Sequence, residues 1–395
     1  MQRLKFGAFI APFHKAGTNV TAALQRDLRT VEYMDEYGYD EVFIGEHHSA
    51  GGEWVSSPEI FIASAAERTK NIRLGTGVTS IAYHNPLWVA DRMMLLDHLT
   101  RGRAILGMGP GSLPTDSRMI GLTPTDTREL LDINVDIITR LVAGETVNAE
   151  TKTHKLVDAR LQMAPYTPGG WEMCVASVAS PTGARIAGRY GIGLLSIGAT
   201  LTKEGFDALA HHWNVVEERA AEYGQTADRS RWRLVGPFHL AETEEQAHKD
   251  VEHGIEHWFD YFQKVAAFPQ MAVDGSNIGE MIDFIKEAGI GVIGTPEQAR
   301  EQIQRLWDQS NGGFGSILNL HQDWANPQAT QRSYELMAQE VMPYFQGQAE
   351  PVLESDRIAR GGREELAGQQ LAAVDHMTKK YESELAAKGS DSGSS

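Results

Sequence analysis

Cysteine is nearly absent from this chain: one residue, Cys174, in 395. A lone thiol excludes an intramolecular disulfide framework and any all-cysteine metal site, and it fits a reducing compartment. Long apolar runs are missing too. The first twelve residues hold only a short one, residues 6–11, too short for a signal-peptide core, and no stretch approaches the roughly 20 apolar residues of a membrane span. Basic residues are in the minority, 36 Lys and Arg against 53 Asp and Glu, for a net charge of −17, and no Lys/Arg-rich run stands out. Nucleic acid and anionic membranes are poor partners for such a surface. What the chain does have is a 42% hydrophobic content, enough to build a core and to exclude global disorder. The composition reads as a cytoplasmic globular enzyme.

Short apolar runs alternate with helix-period segments. Strands are expected at residues 4–10, 41–45, 72–78, 104–108, 172–177, 192–197, 233–241 and 315–320. Helices are expected at 21–37, 58–68, 86–99, 127–143, 181–190, 203–223, 243–265, 295–309 and 327–345. Residues 145–170 read as a looser stretch and 266–290 as an irregular insertion. Strand–helix alternation with short connections predicts a parallel sheet covered by helices. Eight strands alternating with helices predict an α/β chain closed into a (β/α)8 TIM barrel over residues 1–345, with an open doubly wound sheet as the alternative. Residues 346–395 read as a helical extension ending in a disordered Gly/Ser/Asp tail.

In such a barrel the active residues project from the C-terminal ends of the strands. That rule selects Glu46, His47 and His48, then Tyr83 and His84, then the glycine-rich residues 107–112, then Ser177 and Ser180, and finally His321, Asp323 and Trp324. His47 suits proton transfer because imidazole titrates near neutrality; a loop histidine bonded to backbone is the plainer alternative. Neighbours in extended backbone point to opposite faces, so His47 and His48 do not readily share one ion, and no metal is expected. The 107–112 segment matches neither a Walker motif nor GxGxxG. Gly109 reads either as part of a tight turn or as backbone able to lie flat against a planar ligand. Ser180 reads as a helix cap and Pro181 as the first helical residue, giving an ordinary capped helix or an anion site. Arg128 either adds a charge-assisted contact to that anion or pairs with Asp132 on its own helix. Trp258 lies in an aromatic cluster of a kind that is more often core than cofactor wall. Cys174 reads as inert packing.

Together these residues resemble the bacterial luciferase-like, flavin-dependent monooxygenases. The markers, in order, are Lys5-Phe6-Gly7, Gly38-Tyr39-Asp40-Glu41-Val42 leading to Glu46-His47-His48, the run from Lys70 through Gly77, and His84-Asn85-Pro86. Leu96-Asp97 with Gly102-Arg103, Gly294-Thr295-Pro296-Glu297 and Val341-Met342-Pro343-Tyr344 complete them. Each is weak alone; the shared order is specific. The likeness is strongest to limonene monooxygenase-like members and more distant to diketocamphane-type Baeyer–Villiger monooxygenases. It implies non-covalent reduced FMN at the barrel mouth, supplied by a separate flavin reductase, since no nicotinamide fingerprint is present. It implies O2 as co-substrate and a flavin hydroperoxide that passes one oxygen atom to a small apolar substrate, a terpene, alkane, aldehyde or ketone.

The resemblance also assigns roles. His47 is the expected proton donor or base. Glu46, Gly77, Val78, Gly109, Arg128 and the turn of Ser177, Val178, Ala179 and Ser180 are the expected cofactor contacts, with a cis peptide at Gly77-Val78. Trp258 matches an aromatic residue that shields the flavin; apart from the resemblance, the aromatic residues Phe9, Phe13, Trp54, Tyr83, Trp258 and Trp324 suit the lining of an apolar substrate pocket. Gly109 and Pro110 replace a cysteine and an arginine of the luciferases, and Ser177 an acidic residue, so light emission is not expected. The 266–290 segment falls at a mobile loop of the family and suits a lid. A homodimer is the expected assembly. A deazaflavin-dependent hydride-transfer enzyme and a non-catalytic flavin-binding barrel remain the alternatives.

Overall fold

Four helices begin with the same chemistry. Asn85 precedes Pro86, Thr123 precedes Pro124, Thr295 precedes Pro296 and Asn326 precedes Pro327; each polar side chain accepts from a first-turn N–H. Proline, which has no N–H to leave unpaired, takes the first helical position. At Thr123 and Thr295 the side chains of Asp126 and Gln298 accept back from the cap N–H, completing a capping box.

The computed structural model describes residues 3–11, 13–178, 180–197, 209–266, 277–289 and 291–391. Its elements run β1 (Lys5–Ile10), α1 (Val20–Glu36), β2 (Glu41–Ile44), α2 (Pro58–Ala66), β3 (Arg73–Thr76), β4 (Thr79–Ser80), α3 (Pro86–Thr100), β5 (Ala104–Gly109), α4 (Pro114–Met119), α5 (Pro124–Val142), β6 (Val147–Glu150), β7 (Lys155–Ala159) and β8 (Glu172–Ser177). They continue with α6 (Thr182–Tyr190), β9 (Gly193–Ser196), α7 (Leu209–Glu222), β10 (Trp232–Gly236), β11 (Phe238–Leu240), α8 (Glu244–Val251), α9 (Ile255–Lys264), α10 (Ile278–Glu287), β12 (Val292–Gly294), α11 (Pro296–Gln309), β13 (Ser316–His321) and α12 (Pro327–Leu336).

Strands β1, β2, β3, β5, β8, β9, β10 and β13 pair in parallel in that order, and β13 pairs back onto β1. The sheet is therefore a closed eight-stranded (β/α)8 barrel and not the open alternative. Strand β4 continues the line of β3 beyond a cis Gly77–Val78 peptide and pairs with β5. At the N-terminal end of the barrel the buried Arg233 reaches Glu41 at 2.8 and 2.9 Å and Glu172 at 2.8 Å. Above it Phe43, Ile105, Cys174, Leu195, Val235 and Leu318 belong to one apolar cluster that extends to Phe9, Trp258 and Trp324. Burial pushes the Cys174 thiol up to about 12, which keeps it an unreactive packing group.

Several elements differ from expectation. The looser stretch contains an antiparallel hairpin of β6 and β7. The seventh strand divides: β10 stays in the barrel, while β11 leaves it after Pro237 to pair with β12. Asn319 Oδ1 and Ser333 Oγ accept from the N–H groups of Phe238 and Leu240, at 2.9 Å each, so β11 meets side chains where a neighbouring strand is lacking. The helix expected over 243–265 breaks at Gly254. A Cβ there would fall 1.9 Å from the Asp323 carbonyl oxygen, so only glycine allows this close approach. The 266–290 insertion carries α10, with residues 267–276 and 290 outside the described residues. The helix expected over 327–345 is interrupted by a π turn at Met337–Val341 and resumes as α13 (Met342–Phe345).

The chain divides into a unit of residues 2–342, which holds the barrel, and a second of residues 343–395. The second contains α14 (Ala349–Gly361) and α15 (Arg363–Asp391), on which Leu371, Val374 and Tyr381 are exposed. No described helix is long and apolar enough to cross a membrane.

Candidate active site at the C-terminal rim of the barrel

Glu46 follows β2 directly and its carboxylate is fully buried. Its Oε1 accepts from His48 Nε2 at 2.8 Å and from His84 Nε2 at 2.7 Å, while Oε2 accepts from the Ser80 N–H at 2.8 Å. Burial opposes the charge, but the bonds from His48 and His84 hold the carboxyl down at about 2. Glu46, His48 and His84 are residue types that ligate metals, and their donor atoms lie within 4.8 Å of one another. Ligands about 2.0–2.2 Å from one ion stand roughly 3 Å or more apart. The 2.7–2.8 Å contacts here are hydrogen-bond distances, and the cluster is a carboxylate clamped by two imidazoles.

His47 points the other way, as alternation along the chain requires. Its Nδ1 lies 3.1 Å from Asp116 Oδ2 at the start of α4, and its Nε2 lies 3.4 Å from Glu53 Oε2 in the loop after β2. Asp116 also accepts from the Ser49 hydroxyl and the His48 N–H. Burial alone would lower the imidazole pKa; Glu53 and Asp116 overcome that and raise it. The two carboxylates thus favour the protonated ring, the form that can give a proton to a reacting group.

The expected flavin floor is assembled in part. Gly77 N–H donates to the Ile44 carbonyl at 2.6 Å, beside the start of the Glu46 loop. Val78 and Gly109 face each other, and a Cβ on Gly109 would fall 2.5 Å from Val78 Cγ2. The Val78 side chain occupies the space a Cβ on Gly109 would take, so glycine there lets Val78 pack onto the end of β5. Of the expected pocket residues, Phe9, Trp258 and Trp324 share one apolar cluster; the Trp258 and Trp324 rings meet edge-on at 5.2 Å. The Trp324 indole N–H is buried without a partner among the described residues, a donor left for something else to satisfy. Tyr83 is not with them. It packs beside Ala82, Leu122 and Leu130, 6.2 Å from the His48 ring, and its hydroxyl fills the space where a Cβ on Gly111 would stand.

The anion turn differs in detail. Helix α6 begins at Thr182, and Pro181, not Ser180, occupies the cap position, where no side chain caps the first turn. Its N–H groups are open to an anion. Ser177 Oγ donates to the Ser180 carbonyl and Ser180 Oγ to Thr182 Oγ1, each at 3.2 Å, so three hydroxyls gather at that helix start. Val178 is exposed beside them, and Ala179 lies outside the described residues. Arg128 is not brought to this turn: its guanidinium folds back on the Pro124 carbonyl at 2.8 Å. Asp132, offered as its alternative partner, is taken by Arg189 at 3.1 Å.

Sequence reasoning missed Glu53, Asp116 and Tyr261, and with them a second buried cluster. His14 lies between Asp27 at 2.8 Å and Asp323 at 3.0 Å, and Arg26 reaches Asp323 at 2.7 Å. Of these carboxylates only Asp323 carried a signal, its place after the last strand; for Asp27, Glu53 and Asp116 nothing local marks which imidazole each one meets.

The sequence profile of a family described as luciferase-like monooxygenase matches residues 4–310. The chain belongs to that family. Among the luciferase-like monooxygenases it is 46% identical over 384 residues to limonene 1,2-monooxygenase of Rhodococcus erythropolis, covering 97% of each chain. It is 40% identical over 357 residues to 4-hydroxyprotoasukamycin monooxygenase of Streptomyces nodosus subsp. asukaensis, covering 90% of this chain and 96% of the relative. In structure it matches the oxygenating constituent of 3,6-diketocamphane monooxygenase of Pseudomonas putida, a type II Baeyer–Villiger monooxygenase solved with FMN. That match has a TM-score of 0.70 at 25% identity and covers 87% of this chain and 99% of the other. Membership in the luciferase-like monooxygenases agrees with the closed parallel barrel.

Proposed function

We propose that this chain is the oxygenating component of a two-component system: it takes reduced FMN from a separate reductase and transfers one atom of O2 to a small apolar substrate. The observation that carries the reading is His47, held between two carboxylates at the barrel rim. A flavin fits the residues present. Val78 packs closely onto Gly109 at the strand ends, the first turn of α6 is uncapped among three hydroxyls, and the buried Trp324 indole N–H has no partner among the described residues. Gly183 belongs to the same fit: a Cβ there would fall 2.3 Å from the Ala176 carbonyl oxygen, so the helix start lies tight on the strand end.

Reduced flavin, when bound, supplies the two electrons that activate oxygen; one oxygen atom goes to the substrate and the other leaves as water. The chain's own residues do the rest. The α6 N–H groups with Ser177, Ser180 and Thr182 hold the phosphate. Phe9, Trp258 and Trp324 line the apolar side and exclude water, which protects reactive oxygen species from wasteful breakdown. His47 holds and returns a proton at Nε2 or Nδ1, and Glu46 keeps His48 and His84 in place beside it. The catalytic unit is residues 1–345, with 346–395 as a helical extension. The relatives point to a terpene or cyclic ketone as substrate class.

The test is turnover with reduced FMN, a generic reductase and 18O2 over a panel of monoterpenes and cyclic ketones. One labelled oxygen per product molecule is expected, with a loss of about 100-fold or more in His47→Ala, the usual scale of proton-transfer catalysis. Unlabelled or absent product throughout the panel would remove the oxygenase reading of this site, and full activity in His47→Ala the assigned role of that residue.

A further inference from the structure

Glu53 and Tyr261 form a buried carboxylate–phenol pair, of which the chemistry assigned so far uses only the carboxylate. Glu53 lies in the loop after β2 and Tyr261 on α9. The Tyr261 hydroxyl donates to Glu53 Oε2 at 2.6 Å, and that same oxygen lies 3.4 Å from His47 Nε2. Packing alone does not call for the pair. A carboxylate costs free energy to bury unless it is paired and bonded, and phenylalanine would fill the same space as Tyr261.

The loop that carries Glu53 is fixed on three sides. Glu53 forms an antiparallel bridge with Phe13, and the His14 N–H donates to the Gly52 carbonyl at 2.7 Å. The Tyr261 ring closes the third side: it meets Phe13 edge-on at 4.9 Å and lies against Gly52, where a Cβ would fall 2.7 Å from it. The carboxylate is thereby kept beside Nε2. On the opposite side of the imidazole Asp116, from α4, faces Nδ1. Glu46 and His48, both from His47's own segment, are further charged or titratable neighbours. A carboxylate at each nitrogen favours a proton on both.

Resting on the proton role of His47, we infer that Glu53 and Tyr261 are positioning residues for it: Glu53 sets the charge state of Nε2, and Tyr261 sets Glu53. The chain Tyr261–Glu53–His47 ties proton handling to α9, the helix that also supplies Trp258 to the aromatic wall. A shift of α9 then alters the histidine as well as the pocket.

The test is an NMR titration of the full-length, cofactor-free protein labelled with 15N-histidine, with the His47 signal assigned by its loss in His47→Gln. Glu53→Gln is expected to lower the His47 midpoint by about one unit or more, as removal of a carboxylate within 4 Å does. Tyr261→Phe, which keeps the ring and loses only the hydroxyl, is expected to lower it by less, because Glu53 is no longer pinned. The pH profile of turnover should move the same way in both. An unchanged midpoint in either variant overturns the inference, and if Glu53→Gln fails to fold, Tyr261→Phe carries the test. The titration needs no turnover, so its outcome is independent of the parent reading; that reading falls instead if His47→Ala oxygenates normally.

Discussion

At the scale of single residues, two histidines with similar surroundings have different consequences. His47 lies at the rim within reach of a ligand, whereas His14 is sealed between Asp27 and Asp323. Burial alone would strip its proton, but the bonds to Asp27 and Asp323 prevail and raise it to about 9. A group with a raised folded pKa stabilises fully below its unfolded value of about 6.5, and that contribution disappears as pH rises through about 9. The wild-type protein should therefore lose on the order of 3 kcal/mol across that window. His14→Gln should be weaker at pH 6, because Asp27 is left buried and short of a partner, and flatter above it. Urea midpoints at pH 6, 7.5 and 9 check this; the same fall in the variant would refute it. Legibility at this scale was uneven. His47 could be found because strand ends mark the mouth of a barrel. Its partners could not, since Asp116 reaches it from α4 and Glu53 from further along its own loop, and a carboxylate there looks the same whether it meets solvent or an imidazole.

The elements were readable where their signals are local. Thr or Asn before proline marks the start of α3, α11 and α12 because caps act within one turn, whereas the same signal at Thr123 went unread and α5 begins three residues before the expected 127. The short pieces were not. Strand β12 has three residues and exists because β11 lies beside it; hairpin β6–β7 alternates too weakly to be told from loop. The break between α8 and α9 is a tertiary effect at a glycine that a helix would tolerate in isolation. Gly254→Ala should therefore cost more than the usual helical preference for alanine would return. A Cβ pressed on the Asp323 carbonyl must displace backbone, a cost of roughly 1–3 kcal/mol as in other overpacked sites. The displaced segment carries Trp324, so the indole signal should shift as well. A thermal melt with near-ultraviolet circular dichroism reads both, and a stabilised variant with an unchanged spectrum would contradict the account.

The whole molecule was the most legible level. Eight strand–helix repeats leave few topologies, and the order of the family markers fixed the choice. What repetition does not reveal is where the barrel unit stops. The proposed boundary after residue 345 sits three residues from the division seen at 342 and 343. A chain ended after Gly347 should keep the barrel's melting transition within a few degrees, and its turnover, if residues 346–395 contribute nothing to barrel stability. A collapse of the transition would assign those helices to the core unit.

The seam between β1 and β13 bears on how the protein is made. Lys5 pairs with Ser316 and Ile10 with His321. At roughly 5–20 residues per second, translation takes on the order of 15 to 60 seconds to supply the last strand after the first. Throughout that interval β1 carries an open edge able to pair with any passing strand. The completed enzyme has no such edge on its barrel, so the hazard belongs to the nascent chain on the ribosome. Chaperone demand during expression should accordingly depend more on elongation rate than on the stability of the finished fold.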